Sequence, residues 1–582
     1  MLTRRRVVAA VVLLLLAAVA YTIWLLYAAQ RDLRAAEDDA RALQSAIEAG
    51  DTGQARTALA ALQDSAGAAR NDTDGPWWSV MTLFPSVGDD LEGVRGVSAS
   101  LDEIAGTAGP RLLDLEDGLA GVVTDGQVDL DALSGITDGV LEADASAGRA
   151  LGEVADLDTS GYSSLLQGPV DEYVDQVSDL RSTLAGAATA ARVAPTMLGA
   201  DGPRDYLVVF QNNAEVRSTG GLSGAWARIH TEDGKIGLRE QGSAGDFPVA
   251  DPPLVEVSAE EEAVYGDVIA RYFQDPVMVP DFPRAAQLFD AFWQEERPGG
   301  PEVDLDGVVS IDTVGLSYLL RATDPITSDG YTLTPDTAVQ LLLNQVYRDI
   351  DDPARQDEVF AGAASAVFAA ATTGTTSPRE LVRAVDQAVG ERRLMIASFE
   401  DEVQGELAGT RVAAELSGDD GATPHVDVTV NDATGSKMSY YLDHDTQVRA
   451  TGCEGGVQQL AGTMTLRQTI PEAEAAQLPR YITGGGVFGV KPGTQQVLVR
   501  LYAPYGGELG KVTVDGVEVP RFTVATIDDR QVITLAIATN GSADVPIEFA
   551  MTSGTDQDGA GVVQTTPRAT TGSSDSTFPS AC

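Results

Sequence analysis

Histidine and cysteine are almost missing from this chain, with three of the first and two of the second in 582 residues. His230, His425 and His444 show no ligand spacing, which argues against zinc chemistry. Positive charge is scarce as well. Lysine and arginine total 39 against 87 aspartates and glutamates, a formal net charge of −48. So acidic a chain repels phosphate backbones, and nucleic acid is not expected as a partner. The same charge suits a solvated surface and leaves room for bound cations. No Gly-x-Ser-x-Gly elbow, Walker loop or Rossmann fingerprint stands in a credible context. Long hydrophobic runs are absent too, with one exception.

That exception is Val7 to Ala29, interrupted only by Thr22 and preceded by Arg4, Arg5 and Arg6. As a helix the run covers ~35 Å, enough for a bilayer core. Tyr21, Trp24 and Tyr27 fit an interfacial aromatic belt. The expectation is a single-pass membrane protein with a cytoplasmic tip at 1–6, a transmembrane helix at 7–29 and the bulk outside. A signal peptide cleaved after Ala18-Val19-Ala20 is the alternative. In an exported chain an even cysteine count suggests one disulfide, Cys453 with Cys582, against the alternative of two unrelated thiols.

Beyond the run the expected fold class is multidomain. Leu33, Ala36, Ala40, Leu43 and Ile47 recur at helical spacing, Gly50 to Gly53 breaks the pattern, and Ala55, Leu59 and Leu62 resume it. Residues 30–195 therefore read as an α-helical stalk. Tyr206-Leu207-Val208-Val209-Phe210 reads as a buried strand. A polar loop follows, then strands flanking an Asp233-Gly234 hairpin turn. Strand and helix patterns alternate to about 400, with helices expected at 336–347, 354–372 and 378–397, so 203–405 reads as a central α/β domain. Val426-Val428-Val430 and Val497-Val499-Leu501 alternate strictly, and 410–553 reads as a C-terminal β-sandwich. Residues 554–582, rich in Thr, Ser, Gly and Asp, read as a flexible tail.

The stretch Gln211-Asn212-Asn213-Ala214-Glu215-Val216-Arg217-Ser218-Thr219-Gly220-Gly221 resembles a bacterial envelope family named for its domain of unknown function 4012. Pro76-Trp77-Trp78, Leu83 to Gly88, Pro280-Asp281-Phe282-Pro283, Asp306 to Asp312 and Asp324-Pro325-Ile326 look like further family motifs. So do Lys437-Met438-Ser439-Tyr440-Tyr441 and Leu478-Pro479-Arg480-Tyr481. The motif order in 203–400 is also remotely similar to that of the LytR-CpsA-Psr ligases, which move glycopolymers from a polyprenyl-pyrophosphate lipid onto the cell wall. That similarity implies an LCP-like central domain with Arg217 and Asp246 as catalytic candidates. Two departures stand against it. Asn212-Asn213 occupy the place of an aspartate, and Gly245 replaces the arginine partner of Asp246.

For ligand binding the candidates are Gln211, Asn212, Asn213, Glu215, Gly220, Gly221, Arg348 and Arg355. Arginine offers phosphate a rigid fork, amides donate and accept, and glycines let backbone N–H groups approach. The plainer reading is a self-capping loop with Glu215 paired to Arg217. Asp246 and Asp281, with Asp304, Asp306 and Asp312, are candidates for Mg²⁺, against the plainer reading of capping or solvated carboxylates. Arg348 and Arg355 form either a phosphate clamp or local ion pairs. Two functions follow: an envelope protein that binds or transfers a polyprenyl-phosphate-linked glycopolymer, or a non-catalytic cell-surface scaffold or adhesin.

Overall fold

The computed structural model describes residues 4–84, 87–119, 122–124, 127–157, 159–297, 303–373, 377–520, 522–541 and 543–582. The family-like residues Pro85 and Ser86 lie outside this set. The chain divides into two compact units, 1–123 with 129–195 and 124–128 with 196–582.

The first unit is helical. Helix Arg4–Glu48 packs on Thr52–Thr73 as the expected hairpin. The break has a local cause: Gly50 takes φ 68°, and the Asp51 carboxylate accepts the Gln54 N–H at 2.9 Å as an N-cap. Gly88–Glu103, Gly109–Leu119, Leu130–Gly152 and Gln167–Met197 follow. Their buried seams are alanine-rich. Ala36, Leu62, Ala66 and Ala105 form one cluster, and Ala108, Ala143, Ala147 and Leu184 another. Small side chains let helix axes approach closely, so narrow stripes suffice.

The expected membrane span is corrected here. Among the described residues no helix is long and apolar enough to cross a membrane. The run expected at 7–29 is part of the single helix Arg4–Glu48, which continues through Arg31, Asp32, Arg34, Glu37 and Asp38. Its far end packs on protein: Leu25 and Ala29 are buried with Trp78 and Leu91, and Trp77 Nε1 donates to Thr22 Oγ1 at 2.9 Å. The single-pass location assigned from the same run goes with it. The side chains of 4–16 and 19 and all of residues 1–3 lie outside the described set.

In the second unit, strand Arg204–Asn212 pairs antiparallel with Leu222–Glu232 and parallel with Gly307–Asp312. Lys235–Ser243 joins beyond Leu222–Glu232, and Leu394–Ser398 beyond Gly307–Asp312. The turn at Asp233-Gly234 carries φ 51° and 76°, the left-handed pair that a tight hairpin needs. Leu207, Val209, Val308 and Met395 cover one sheet face with Phe282, Phe289, Phe292 and Trp293 of helix Phe282–Glu295. Val208, Ala227 and Ile311 cover the other. Helices Pro353–Thr373 and Pro378–Gly390 follow the third strand. The helix expected over 378–397 ends at Gly390, and its last residues form the sheet strand instead.

Two further sheets share one apolar core. Val426, Val428, Val430, Val497, Val499 and Leu501 of a six-stranded sheet meet Leu460, Met464, Leu466, Phe549 and Met551 of a five-stranded one. The separate domains expected at 203–405 and 410–553 fall within one compact unit. The flexible tail is corrected too. Gly561–Thr565 pairs parallel with His425–Asp432, and Ser576–Phe578 pairs with Gly561–Thr565. Val563 and Phe578 are buried in the shared core, which a composition reading could not see. Cys453 and Cys582 form a disulfide.

Candidate functional site

Strand Arg204–Asn212 delivers its loop, residues 213–221, to the junction between the α/β part and the β part of the second unit. Most of the loop's polar groups are consumed there. Gln211 donates to Ser310 Oγ at 2.7 Å and accepts from Gly221 N–H at 2.8 Å and Thr219 Oγ1 at 3.2 Å. Asn213 donates to Asp312 at 2.7 Å. Ser218 N–H donates to Asn431 Oδ1 at 3.1 Å, and Asp432 N–H donates to the Val216 carbonyl at 2.9 Å. A Cβ on Gly221 would sit 2.3 Å from the Asn212 carbonyl carbon, so its close approach is to its own loop.

Arg217 does not pair with Glu215. Its Nε lies 3.3 Å from Asp275, and its Nη1 donates to the Val216 and Asp432 carbonyls at 3.1 and 3.4 Å. Burial pushes the Asp275 carboxyl up, and Arg217 pulls it partly back. Arg348 donates to Asn344 and to the Tyr441 hydroxyl, both at 2.7 Å. Arg355 is exposed and paired with Asp329 at 2.8 Å and Glu358 at 2.6 Å. Asp281 caps helix Phe282–Glu295 through the Arg284 N–H and accepts the Leu416 N–H. Burial raises its carboxyl, which the two N–H groups oppose. Asp306 accepts from Arg204 and from the Asp205 N–H. Asp304 is exposed, just ahead of strand Gly307–Asp312. Among the described residues no three His, Cys, Asp or Glu side chains are grouped to hold a metal ion.

What the fold does assemble is a half-open cavity of about 520 Å³ over one sheet face. Phe210, Leu222, Ile311, Leu316, Leu343 and Phe360 supply apolar lining, with Ala361, Ala363 and Ala364 of helix Pro353–Thr373. Asn212, Gln241, Ser243 and Asp246, and Gln356 and Asp357 of the same helix, supply polar lining. Of the expected site residues, Gln211, Asn212, Glu215 and Asp246 line it, while Arg217, Arg348 and Arg355 do not. A second hollow of about 410 Å³, at Pro253 to Val257, is shallow and more open.

Lys437 crosses from the β part to close one side. Its ammonium pairs with Glu215 and stands 5.1 and 4.7 Å from the ring centres of Tyr347 and Tyr481. Burial alone would lower its pKa. Glu215, then the two tyrosines, outweigh burial and hold it well above the lysine range. Asn212 donates to the Tyr347 hydroxyl at 2.5 Å. Asp246 accepts from Ser243 N–H at 2.7 Å and Trp226 Nε1 at 3.3 Å, closing a capping box at Ser243. Burial raises the Asp357 carboxyl; Lys437 lowers it and Asp246 raises it further.

Lys437, Tyr347 and Tyr481 were not singled out as site residues. Lys437 and Tyr481 stand in stretches that the sequence reading likened to family motifs, which was the only signal available before the fold joined them. Neither the curated proteins nor the solved structures contain a match to the chain, so the similarity to the LytR-CpsA-Psr ligases acquires no further support. Residues 201–347 match the family model described as "Protein of unknown function (DUF4012)".

Proposed function

We propose that the second unit binds an amphipathic small molecule, its apolar chain lying against helix Pro353–Thr373 and its polar head at the Asn212–Asp246 rim. The observation that carries this reading is that one cavity is lined both by apolar side chains and by hydrogen-bonding ones. A volume of about 520 Å³ lies within the range of small-molecule sites. A glycolipid has this two-part character. Binding is favoured over transfer, because Arg217, Arg348 and Arg355 are engaged away from the cavity.

Isothermal titration of the whole chain with octyl, decyl and dodecyl maltoside, each below its micellar concentration, tests this. Each buried methylene contributes about 0.8 kcal/mol, so affinity should rise roughly fourfold per carbon. Ala363→Trp fills the cavity and should abolish binding. Affinity independent of chain length, or unaffected by Ala363→Trp, sinks the proposal.

The scaffold reading has one observation in its favour. The motif loop spends its polar groups joining the α/β part to the β part. That reading stands if none of the maltosides binds.

A further inference from the structure

A row of aromatic rings leads out of the cavity. Phe360 of helix Pro353–Thr373 stands 5.4 Å from Tyr347, ring centre to ring centre, and Tyr347 stands 5.9 Å from Tyr481. All three line the cavity, and Tyr481 is still 40 % exposed. Tyr481 lies on the short helix Arg480–Thr483, which is tied down because the Lys437 N–H donates to the Ile482 carbonyl at 2.8 Å. The chain then enters a glycine-rich segment. Gly484, Gly485 and Gly486 take φ 68°, 62° and 77°, and Gly489 takes 87°, conformations that strain other residues but not glycine. Among them Val487 and Phe488 are 69 % and 62 % exposed, although both are large and apolar. The segment is anchored again at Gly493, whose carbonyl accepts from Gln468 Nε2 at 3.2 Å. Between the anchors the Val487 N–H donates to the Gly484 carbonyl at 3.4 Å and the Gly489 N–H to the Gly486 carbonyl at 3.2 Å, so these bonds can travel with the segment. The Phe488 ring rests on Gly435, where a Cβ would meet it at 2.7 Å, and Gly435 shares a turn with Lys437 of the cavity lining.

We infer that residues 484–493 form a flap, hinged at Gly484–Gly486, that carries Val487 and Phe488 over the apolar chain of the bound amphiphile and so sets the chain length the cavity prefers. This inference rests on the amphipathic-ligand reading and names the residues that select within that class. A chain lying against helix Pro353–Thr373 meets Phe360 first, then Tyr347 and Tyr481, and its far end emerges where the flap begins. Large apolar side chains are stabilised by leaving water, and the end of an alkyl chain at this place offers them the surface to do so. Anchors at both ends, with glycines between them, let a short segment close while the sheets stay as they are.

Octyl and dodecyl maltoside, each below its micellar concentration, separate the flap from the cavity. Phe488→Ala should weaken dodecyl maltoside by about tenfold, the contribution of one buried aromatic side chain, and octyl maltoside by less than about twofold. In the wild-type chain, hydrogen exchange at 485–489 should slow when dodecyl maltoside is added and stay nearly unchanged with octyl maltoside. If Phe488→Ala does not fold, the exchange result alone decides. A loss in Phe488→Ala that does not grow with chain length overturns the flap, as does exchange at 485–489 that dodecyl maltoside leaves unchanged. In either case the cavity reading stands as long as the wild-type chain binds the maltosides and Ala363→Trp does not. Failure of both maltosides to bind the wild-type chain overturns both.

Discussion

His444 stands on strand Leu442–Glu454. It is buried, its Nδ1 has no hydrogen-bond partner, and its pKa is lowered to about 3 by burial first and then by Arg568. The unfolded chain takes a proton near pH 6.5, which the native imidazole refuses until about pH 3. The unfolded state therefore binds more protons in that window. Stability should fall with falling pH by up to ~1.4 kcal/mol per unit from this group. Denaturant unfolding at several pH values should show the slope reduced by nearly one proton in His444→Gln. An identical slope would remove His444 from the account. A second residue-scale prediction concerns Arg393 and Asp312, which are 2.9 Å apart and fully buried. Arg393→Met leaves a buried carboxylate without its cation, at a cost of about 3–5 kcal/mol. Adding Asp312→Asn should recover part of that loss. Simple additivity of the two changes would mean the pair is not coupled.

Among the elements, the C-terminal strands are held in two ways. Val563 and Phe578 sit in the shared core, while Arg392 clamps Asp575 and Arg393 donates to the Thr570 carbonyl at 2.7 Å. The disulfide then closes a sequence separation of 129 residues. In the chain-entropy model that contributes about 2–5 kcal/mol through the unfolded state. Cys453→Ala with Cys582→Ala should lower the free energy of unfolding by that amount, read from denaturant unfolding. Amides of 561–565 should nevertheless stay protected from hydrogen exchange, because their pairing and packing survive. Rapid exchange there would show that the disulfide alone holds the strand.

For the whole molecule, the division into two compact units predicts two calorimetric transitions, one for the alanine-seamed helices and one for the sheets. A single cooperative transition would contradict this. The α/β and β parts should not separate further. The loop 213–221 and the C-terminal segment fasten one to the other through Ser218–Asn431, Lys437–Glu215 and Thr566 Oγ1 to the Ser218 carbonyl at 3.0 Å.

Local patterns determined much of this protein. Helical spacing placed the hairpin 31–69, Asp233-Gly234 placed a turn, and strict valine alternation placed the core strands at 426–430 and 497–501, because each depends on neighbours within a few residues. The even cysteine count pointed to Cys453–Cys582. Hydropathy at 7–29 determined only that these side chains prefer to leave water. Whether protein or lipid replaces the water depends on partners such as Trp78 and Leu91, remote in sequence. The tail was misread for the same reason, since two buried side chains and a pair of arginines outweigh its polar composition. Gln211, Asn212 and Glu215, at the end of Arg204–Asn212, and Asp246, just past Lys235–Ser243, come to line one cavity because those two strands end at the same edge of the sheet. Lys437 and Tyr481 were not legible as cavity residues, since over 200 residues separate them from the loop. Arg217, Arg348 and Arg355 were legible as cations but not as occupied ones. A charge in a folded chain goes to whichever partner the packing brings nearest, and only the tertiary structure decides which that is.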